Sequence, residues 1–395
     1  FRPRRLTPTH PFAEQRGAEF VEVGQWMRAQ YFPRDGETHW RESVDREVLA
    51  VRAGVGLCDV TTLGKVDVQG ADAREFLNRL YANMMGTLKV GMVRYGLMLR
   101  EDGHAYDDGT CARLAEDHYV VTTTTANAGL VYRQMEFARQ CLWPEMDVQL
   151  ISTTDAWAQI AVAGPKSREL LGRIVDDFDL SNEAFPFMAC APLTICGGLR
   201  ARLFRISFSG ELSFELAVKA GQGMALWEKI LQAGADYGIQ PYGTEALGVM
   251  RIEKGHVVSG EINGRTTAGD LGFGSMLSTT KDYIGRHSLT RPALNDDGRK
   301  QLVGLIPDDG RTAVPRGAQI VANPKRVAPN PMLGEVTSSC YSPNLRHPIA
   351  LAIVADGRRH HGEKLHAVSP VTDEAVKVRV TDPVFIDPEK ERLRG

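Results

Sequence analysis

The chain is 395 residues long, 43% hydrophobic and 24% charged, with a formal net charge of −2. That length exceeds one ordinary core and calls for two or three domains. The near-neutral charge excludes a global basic field for nucleic acid or an anionic membrane, and no apolar run approaches the roughly 20 residues that span a bilayer. The six cysteines (Cys58, Cys111, Cys141, Cys190, Cys196 and Cys340) show no CxxC and no metal-finger spacing. They read as reduced, mostly buried thiols of a cytoplasmic protein.

In chain order, residues 1–11 are basic and proline-rich and read as an extended arm, or as a linker from something upstream. The absence of an initiator Met fits a piece of a longer polypeptide. Residues 41–56 have helical spacing, with Val44, Val48, Leu49 and Val51 apolar. Residues 65–68 alternate as a strand, and Gly70-Ala71-Asp72 opens a helix to about residue 84, with Ala73, Phe76, Leu77 and Leu80 on one side. A hairpin is predicted over residues 94–110, with Glu101-Asp102-Gly103 as its turn. Its return arm ends in two adjacent carboxylates, Asp107 and Asp108. Neighbours on a strand point to opposite faces, so one of them turns inward, which is costly without a partner or a task. Alternation leaves open which one. A strand at 118–122 and a helix carrying Leu130, Val131, Met135 and Phe137 complete this α+β unit.

The order then repeats. A buried strand lies at 159–162, and a helix starts at Gly164-Pro165. A hairpin over 201–208 and 213–218 turns at Ser209-Gly210, and helices follow at 223–237 and 243–254. From residue 302 short strands at 302–306, 319–321, 333–338, 349–354 and 374–386 predict a small all-β barrel or sandwich.

Several side chains stand out. Glu215, between Phe214 and Leu216 on a strand, is a candidate acceptor for the donor pair of a pterin or guanine ring. Glu211 reads as a solvated turn residue. Arg251 either serves an anionic ligand tail or pairs with Glu253 or Glu245. His360, His361 and His366 read as a solvated loop and not as a metal site. No Walker A, GxSxG or zincin motif is present, and the glycines of 269–274 lack the strand–turn–helix setting of a dinucleotide loop.

Taken in order, several stretches resemble the folate-dependent aminomethyltransferase (glycine-cleavage T-protein) family. They include Gly56-Leu57-Cys58-Asp59-Val60, Tyr95 with Gly103 and Asp107-Asp108, Val162-Ala163-Gly164-Pro165, Phe208-Ser209-Gly210-Glu211 with Phe214-Glu215, Arg251-Ile252-Glu253-Lys254-Gly255 and Gly334-Glu335-Val336-Thr337-Ser338. Within the family, Arg94-Tyr95-Gly96-Leu97-Met98-Leu99 and Arg205-Ile206-Ser207-Phe208-Ser209-Gly210-Glu211 resemble the branch found in the C-terminal half of heterotetrameric sarcosine oxidase alpha subunits.

The resemblance implies an α+β, three-lobed fold: two α+β modules with antiparallel sheets and a C-terminal β-barrel around a central folate pocket. Residues 1–62 with 149–289 would form the first module, 63–148 the second and 290–395 the barrel. It implies tetrahydrofolate as cofactor, an N-methyl amine or its imine as substrate, and a flavoprotein partner subunit carrying the flavin, with further small subunits. Asp108 is implied as the inward, catalytic carboxylate, which leaves Asp107 the solvated one. Glu215 is implied to accept from the pterin, with Tyr95, Thr122, Phe208 and Arg251 lining the pocket. The family often has Asn where Thr122 stands and Tyr where Phe208 stands, and its Arg-Asp pair reads Leu247-Gly248 here. These departures favour an oxidase-linked folate domain over a stand-alone glycine-cleavage transferase; a free aminomethyltransferase or demethylase and a non-catalytic folate-binding scaffold are the alternatives. His256 stands where the iron–sulfur-assembly branch carries cysteine, which argues against that branch.

Overall fold

A computed structural model describes residues 4–324 and 330–395. The chain divides into two compact units: Phe1–Gly96, Asp107–Leu247 and Lys390–Gly395 form the first, and Leu97–Tyr106 with Gly248–Glu389 the second. In order, the elements are β1 (Arg5–Leu6), α1 (His10–Gln15), β2 (Glu19–Val23), β3 (Trp26–Tyr31), α2 (Trp40–Ala53), β4 (Gly56–Asp59), β5 (Gly64–Gln69), α3 (Ala73–Leu80), β6 (Val93–Leu99), β7 (Ala105–Ala115), β8 (His118–Thr123), α4 (Ala128–Phe137) and β9 (Gln149–Ser152). They continue with β10 (Trp157–Ala163), α5 (Ser167–Leu171), β11 (Cys190–Ile195), β12 (Leu199–Phe204), β13 (Ser213–Lys219), α6 (Gly223–Ala233), β14 (Gln240–Pro241) and α7 (Thr244–Glu253). The last strands are β15 (Lys300–Pro307), β16 (Gln319–Val321), β17 (Met332–Ser342), β18 (His347–Ala355), β19 (Lys364–Ser369) and β20 (Glu374–Thr381), followed by α8 (Glu391–Arg394).

The strands form a three-stranded sheet β1-β3-β2, a five-stranded sheet β6-β7-β8-β5-β9, a six-stranded sheet β11-β12-β13-β10-β4-β14 and a closed barrel β15-β18-β17-β16-β19-β20. The predicted α+β class with antiparallel sheets and a C-terminal barrel is therefore what the chain adopts. Only the short β1 and β14 run parallel to a registered neighbour. The barrel core is aliphatic and built from alternate residues, among them Val303, Leu305, Ala350, Ala352 and Val354. In the first unit one face of the six-stranded sheet packs Leu57, Ile160, Val162, Phe214, Leu216 and Val218 against Leu170 and Leu171 of α5 and Leu226, Trp227 and Ile230 of α6.

Four local expectations need correction. Residues 4–11 are not an extended arm: they carry β1 and the start of α1, and with β2 and β3 this N-terminal region makes its own small core of Ala13, Ala18 and Phe32, with Phe20 and Ala29 against it. Phe1, Arg2 and Pro3 lie outside the described residues. Helix α3 stops at Leu80 because the Asn78 side chain takes the backbone N–H groups of Met85 and Gly86, turning the chain out of the helix. Glu211 is not solvated: it is 3% exposed and pairs with Arg52 at 2.8 Å and Arg392 at 2.7 Å. His366 lies on strand β19, which the sequence reading passed over, as it did β11.

The five- and six-stranded sheets of the first unit are tied by one ion-pair cluster. Asp67 of β5 accepts both Arg202 nitrogens of β12, at 3.1 and 2.8 Å, and also bonds His118 and Thr153, each at 2.9 Å. Arg202 in turn lies 4.0 Å over the Trp157 ring. Burial alone would push the Asp67 carboxyl up, but the His118 and Arg202 hydrogen bonds and the Arg202 charge outweigh it, and its pKa falls well below the usual carboxylate range. A depressed pKa contributes stability above the unfolded value and loses it as pH falls towards the folded one. Asp67→Ala should destabilise the first unit by about 3–5 kcal/mol at pH 7, because it strands Arg202. In urea unfolding the gap from wild type should narrow below about pH 4. A gap that is absent at pH 7 would show that the cluster is not holding the sheets.

Candidate functional site

The two sheets clamped by Asp67 face each other. Side chains from both meet in one cluster: Val93, Ala112 and Val120 from the five-stranded sheet, and Trp157, Phe204 and Ala217 from the six-stranded one. The period-two alternation of strands then assigns neighbours to that same interface. On β6 Tyr95 shares the face of Val93; on β7 Thr110 and Asp108 share the face of Ala112; on β8 Thr122 shares the face of Val120. On β13 Glu215 shares the face of Ala217 and pairs in register with Phe204 and Ala161. Tyr95, Asp108, Thr122 and Glu215 thus belong to facing surfaces.

Within this layer, the Tyr95 hydroxyl donates to Asp108 Oδ2 at 2.8 Å. Burial and the Asp108 charge push the Tyr95 phenol well above its usual pKa, so it stays a donor. Thr122 Oγ1 accepts the Thr110 N–H at 2.9 Å and pairs with the Thr110 hydroxyl at 2.8 Å. Between Asp108 and Thr110 the strands close in so far that a Cβ on Gly109 would collide with the Thr122 carbonyl. Glycine is required there by close approach.

Asp107 corrects the expectation of a solvated residue. It is 2% exposed, whereas Asp108 is partly exposed. Asp107 accepts the Thr124 hydroxyl at 2.6 Å, the Thr124 N–H at 3.2 Å and the Asn127 amide at 3.0 Å, at the start of α4. Burial pushes its pKa up and these donors oppose the rise. Asp107 is thus occupied in holding β7 to α4, and Asp108 is the member of the pair facing the other sheet.

Glu215 is 6% exposed, and among the described residues its hydrogen-bond donor is Gln159 Nε2. Opposite Thr122 on β5 stands Lys65, 2% exposed, with its ammonium bonded to the carbonyls of Thr61 (2.7 Å) and Leu63 (3.0 Å). Burial raises the Glu215 carboxyl to about 7 against the opposing pull of the Gln159 hydrogen bond and the Lys65 charge. Burial likewise lowers Lys65 to about 8, with the charges of Asp59 and Glu215 opposing. A carboxylate with one protein donor retains lone pairs for a two-donor ligand edge. Sequence reading missed Lys65 and Gln159; the signal was a lysine two residues before Asp67 inside an otherwise buried strand.

Phe208 lies in the loop between β12 and β13 and is 37% exposed. Arg251 belongs to the second unit and pairs with neither Glu253 nor Glu245. It bonds Ser338 Oγ at 2.7 Å and the His256 carbonyl at 3.1 Å, and lies 3.5 Å from Glu261. Among the described residues no cluster of His, Cys, Asp or Glu could hold a metal ion, and no helix is long and apolar enough to cross a membrane.

The raised Glu215 pKa has a testable sign. A carboxyl whose folded value exceeds its unfolded one contributes stability below the unfolded value and loses it as pH rises through the folded one. Glu215→Gln should therefore gain on wild type by on the order of 3 kcal/mol between pH 4 and pH 8. Paired denaturation curves measure this, and a pH-independent difference would refute the burial assignment.

Two family profiles match the chain: "GCVT N-terminal domain" over residues 9–281 and "Glycine cleavage T-protein C-terminal barrel domain" over 300–387. The sarcosine oxidase subunit alpha of Rhizobium meliloti is 51% identical over the whole chain, which spans 40% of that protein's length. The corresponding subunit of Corynebacterium sp. (strain P-1) is 44% identical, and the chain spans 41% of it. The aminomethyltransferase of Streptomyces coelicolor is 33% identical over 344 residues, 86% of each chain. The glycine cleavage system aminomethyltransferase T of Bartonella henselae shares the fold, with a TM-score of 0.82 at 22% identity over 97% of this chain and 98% of that one. With profiles running from residue 9 to 387, and a relative matched over 86% of both lengths, the chain belongs to the glycine cleavage T-protein (aminomethyltransferase) family.

Proposed function

We propose that the chain is the tetrahydrofolate-binding part of a sarcosine oxidase-like N-methyl amine oxidase, where it captures the one-carbon unit of the imine as 5,10-methylenetetrahydrofolate. The observation that carries this reading is the Tyr95–Asp108 pair on the sheet face opposite Glu215. Identity of 51% to a sarcosine oxidase alpha subunit supports the oxidase setting. Tetrahydrofolate, when bound, supplies nucleophilic ring nitrogens that accept the carbon.

The residues present suit that cofactor. Glu215, with Gln159 as its protein donor, offers acceptor sites for the paired N–H groups of a pterin. Lys65 favours its ionised form. Asp108, oriented by the Tyr95 hydroxyl, is placed to take up a proton and to stabilise a developing cation electrostatically. Thr122 and Phe208 line the same pocket in this reading. The flavin that generates the imine belongs to a partner flavoprotein subunit, and the complex is cytoplasmic.

The 33% identity to an aminomethyltransferase over 86% of its length favours a second reading, a stand-alone folate-dependent transferase. One experiment addresses both. In the assembled protein with an N-methyl amine, Asp108→Ala should leave amine oxidation near wild type and lower 5,10-methylenetetrahydrofolate yield by about 100-fold, the typical weight of a general acid–base group. Undiminished yield from the variant would reject the role of Asp108. Absence of any amine oxidation in the wild-type assembly, with carrier-dependent methylene transfer intact, would favour the transferase.

A further inference from the structure

The loop between β12 and β13 is tied down from outside its own sheet. Its backbone is anchored where Arg205 N–H donates to the Ala189 carbonyl and Gly164 N–H to the Leu212 carbonyl, each at 2.8 Å. Between these anchors the turn bonds to itself: Gly210 N–H to the Ser207 hydroxyl at 3.1 Å, and Glu211 N–H to the Ser209 hydroxyl at 3.4 Å. Such local bonds shape a turn without fastening it to the fold. Yet from Arg205 to Leu212 the chain is buried, except at the half-buried Ser207 and the exposed Phe208.

Two buried charges close the ends of this loop. Arg205 is 1% exposed and donates to the Phe185 carbonyl at 2.7 Å and to the Arg394 carbonyl. Glu211, at the other end, pairs with Arg52 and Arg392. Charges out of water need such partners. One short segment therefore grips both ends, through the Arg394 carbonyl and the Arg392 side chain, both in α8. Leu393 between them is buried, and the Gly395 carbonyl accepts the Asn182 amide. A Cβ on Gly395 would stand 2.9 Å from Leu212 Cδ1, so the segment lies against the loop. The Arg52 side chain is 5% exposed and that of Arg392 47%. Losing Arg392 leaves Glu211 its buried partner, so this hold can be removed without stranding a charge.

We propose that residues 391–395 are a strap that holds the Phe208 loop in its binding-ready shape, with Arg392 as a positioning residue for the cofactor pocket. Ordering a loop on binding costs conformational entropy. A loop ordered in advance spares the ligand that cost, so the strap acts through affinity and not through the chemical step. Arg392 reaches the pocket through Glu211 and the turn, without touching the ligand. The place of Phe208 in the pocket rests on the folate reading; the grip of the strap on the loop does not.

The test compares wild type with Arg392→Ala, Arg392→Glu and Arg392→Lys in the assembled protein, by amide hydrogen exchange and by titration with tetrahydrofolate. Without ligand, Arg392→Ala and Arg392→Glu should speed exchange over residues 206–211 and leave the barrel strands unchanged. That pattern separates a released loop from a general loss of stability. Tetrahydrofolate affinity should fall by about threefold in Arg392→Ala, within the worth of an exposed ion pair. It should fall further in Arg392→Glu, which sets like charges together, and Arg392→Lys should restore most of it. The apparent KM for tetrahydrofolate should rise, while amine oxidation and the product yield at saturation stay at the wild-type level. Unchanged exchange over 206–211 in both Arg392→Ala and Arg392→Glu would overturn the strap. Faster exchange with undiminished tetrahydrofolate affinity would overturn the positioning role. A wild type that binds no tetrahydrofolate would reject the folate reading and the positioning role with it, whereas the exchange result alone decides the strap.

Discussion

The cluster of Asp67 and Arg202 is the constraint on which the candidate site depends. Tyr95 and Asp108 stand on one sheet and Glu215 on another, so their separation is set by whatever fixes the two sheets. A bidentate ion pair with aromatic support does this better than apolar packing alone, because its geometry is directional. The bridge between Met92 and Ala189, with Val93 N–H donating to the Met188 carbonyl at 2.7 Å, pins the sheets a second time at backbone level. Between these anchors the cluster of Val93, Ala112, Val120, Phe204 and Ala217 excludes water from one end of the layer. The polar residues sit further along the same strands, where the packing is less complete.

The carboxylates of this region divide by environment. Asp107 is saturated by donors and serves the fold. Asp108 accepts the Tyr95 hydroxyl and is partly exposed, which suits the proton-handling role proposed for it. Glu215 is buried against the distant charge of Lys65 and titrates near neutrality, so ligand donors can decide its charge. In the proposed function, similar acids take a structural, a chemical and a recognition role according to which face of which strand they occupy.

Much of this was legible in the amino-acid sequence. Period-two alternation located the hairpin and required Asp107 and Asp108 to diverge, and the barrel strands were marked by turn residues. Alternation carries no information on which face meets which partner. The burial of Asp107 depends on Thr124 and Asn127, and that of Glu211 on Arg52 and Arg392, contacts that close only in the folded chain. The N-terminal sheet was missed because β1 pairs with β3 across an intervening helix, and a basic, proline-rich composition masked it. The pairing of Arg251 with Glu253 or Glu245 that the sequence offered does not form, because its partners Glu261 and Ser338 reach it only in the folded chain.

The central claim is that Asp108 and Glu215 address one tetrahydrofolate molecule. A crystal structure of the complex with tetrahydrofolate tests it most directly. The account predicts the N3 and 2-amino edge of the pterin within hydrogen-bond distance of the Glu215 carboxylate, with the reactive nitrogens turned towards Asp108. A pterin bound away from Glu215, or one whose reactive nitrogens face away from Asp108, would contradict it.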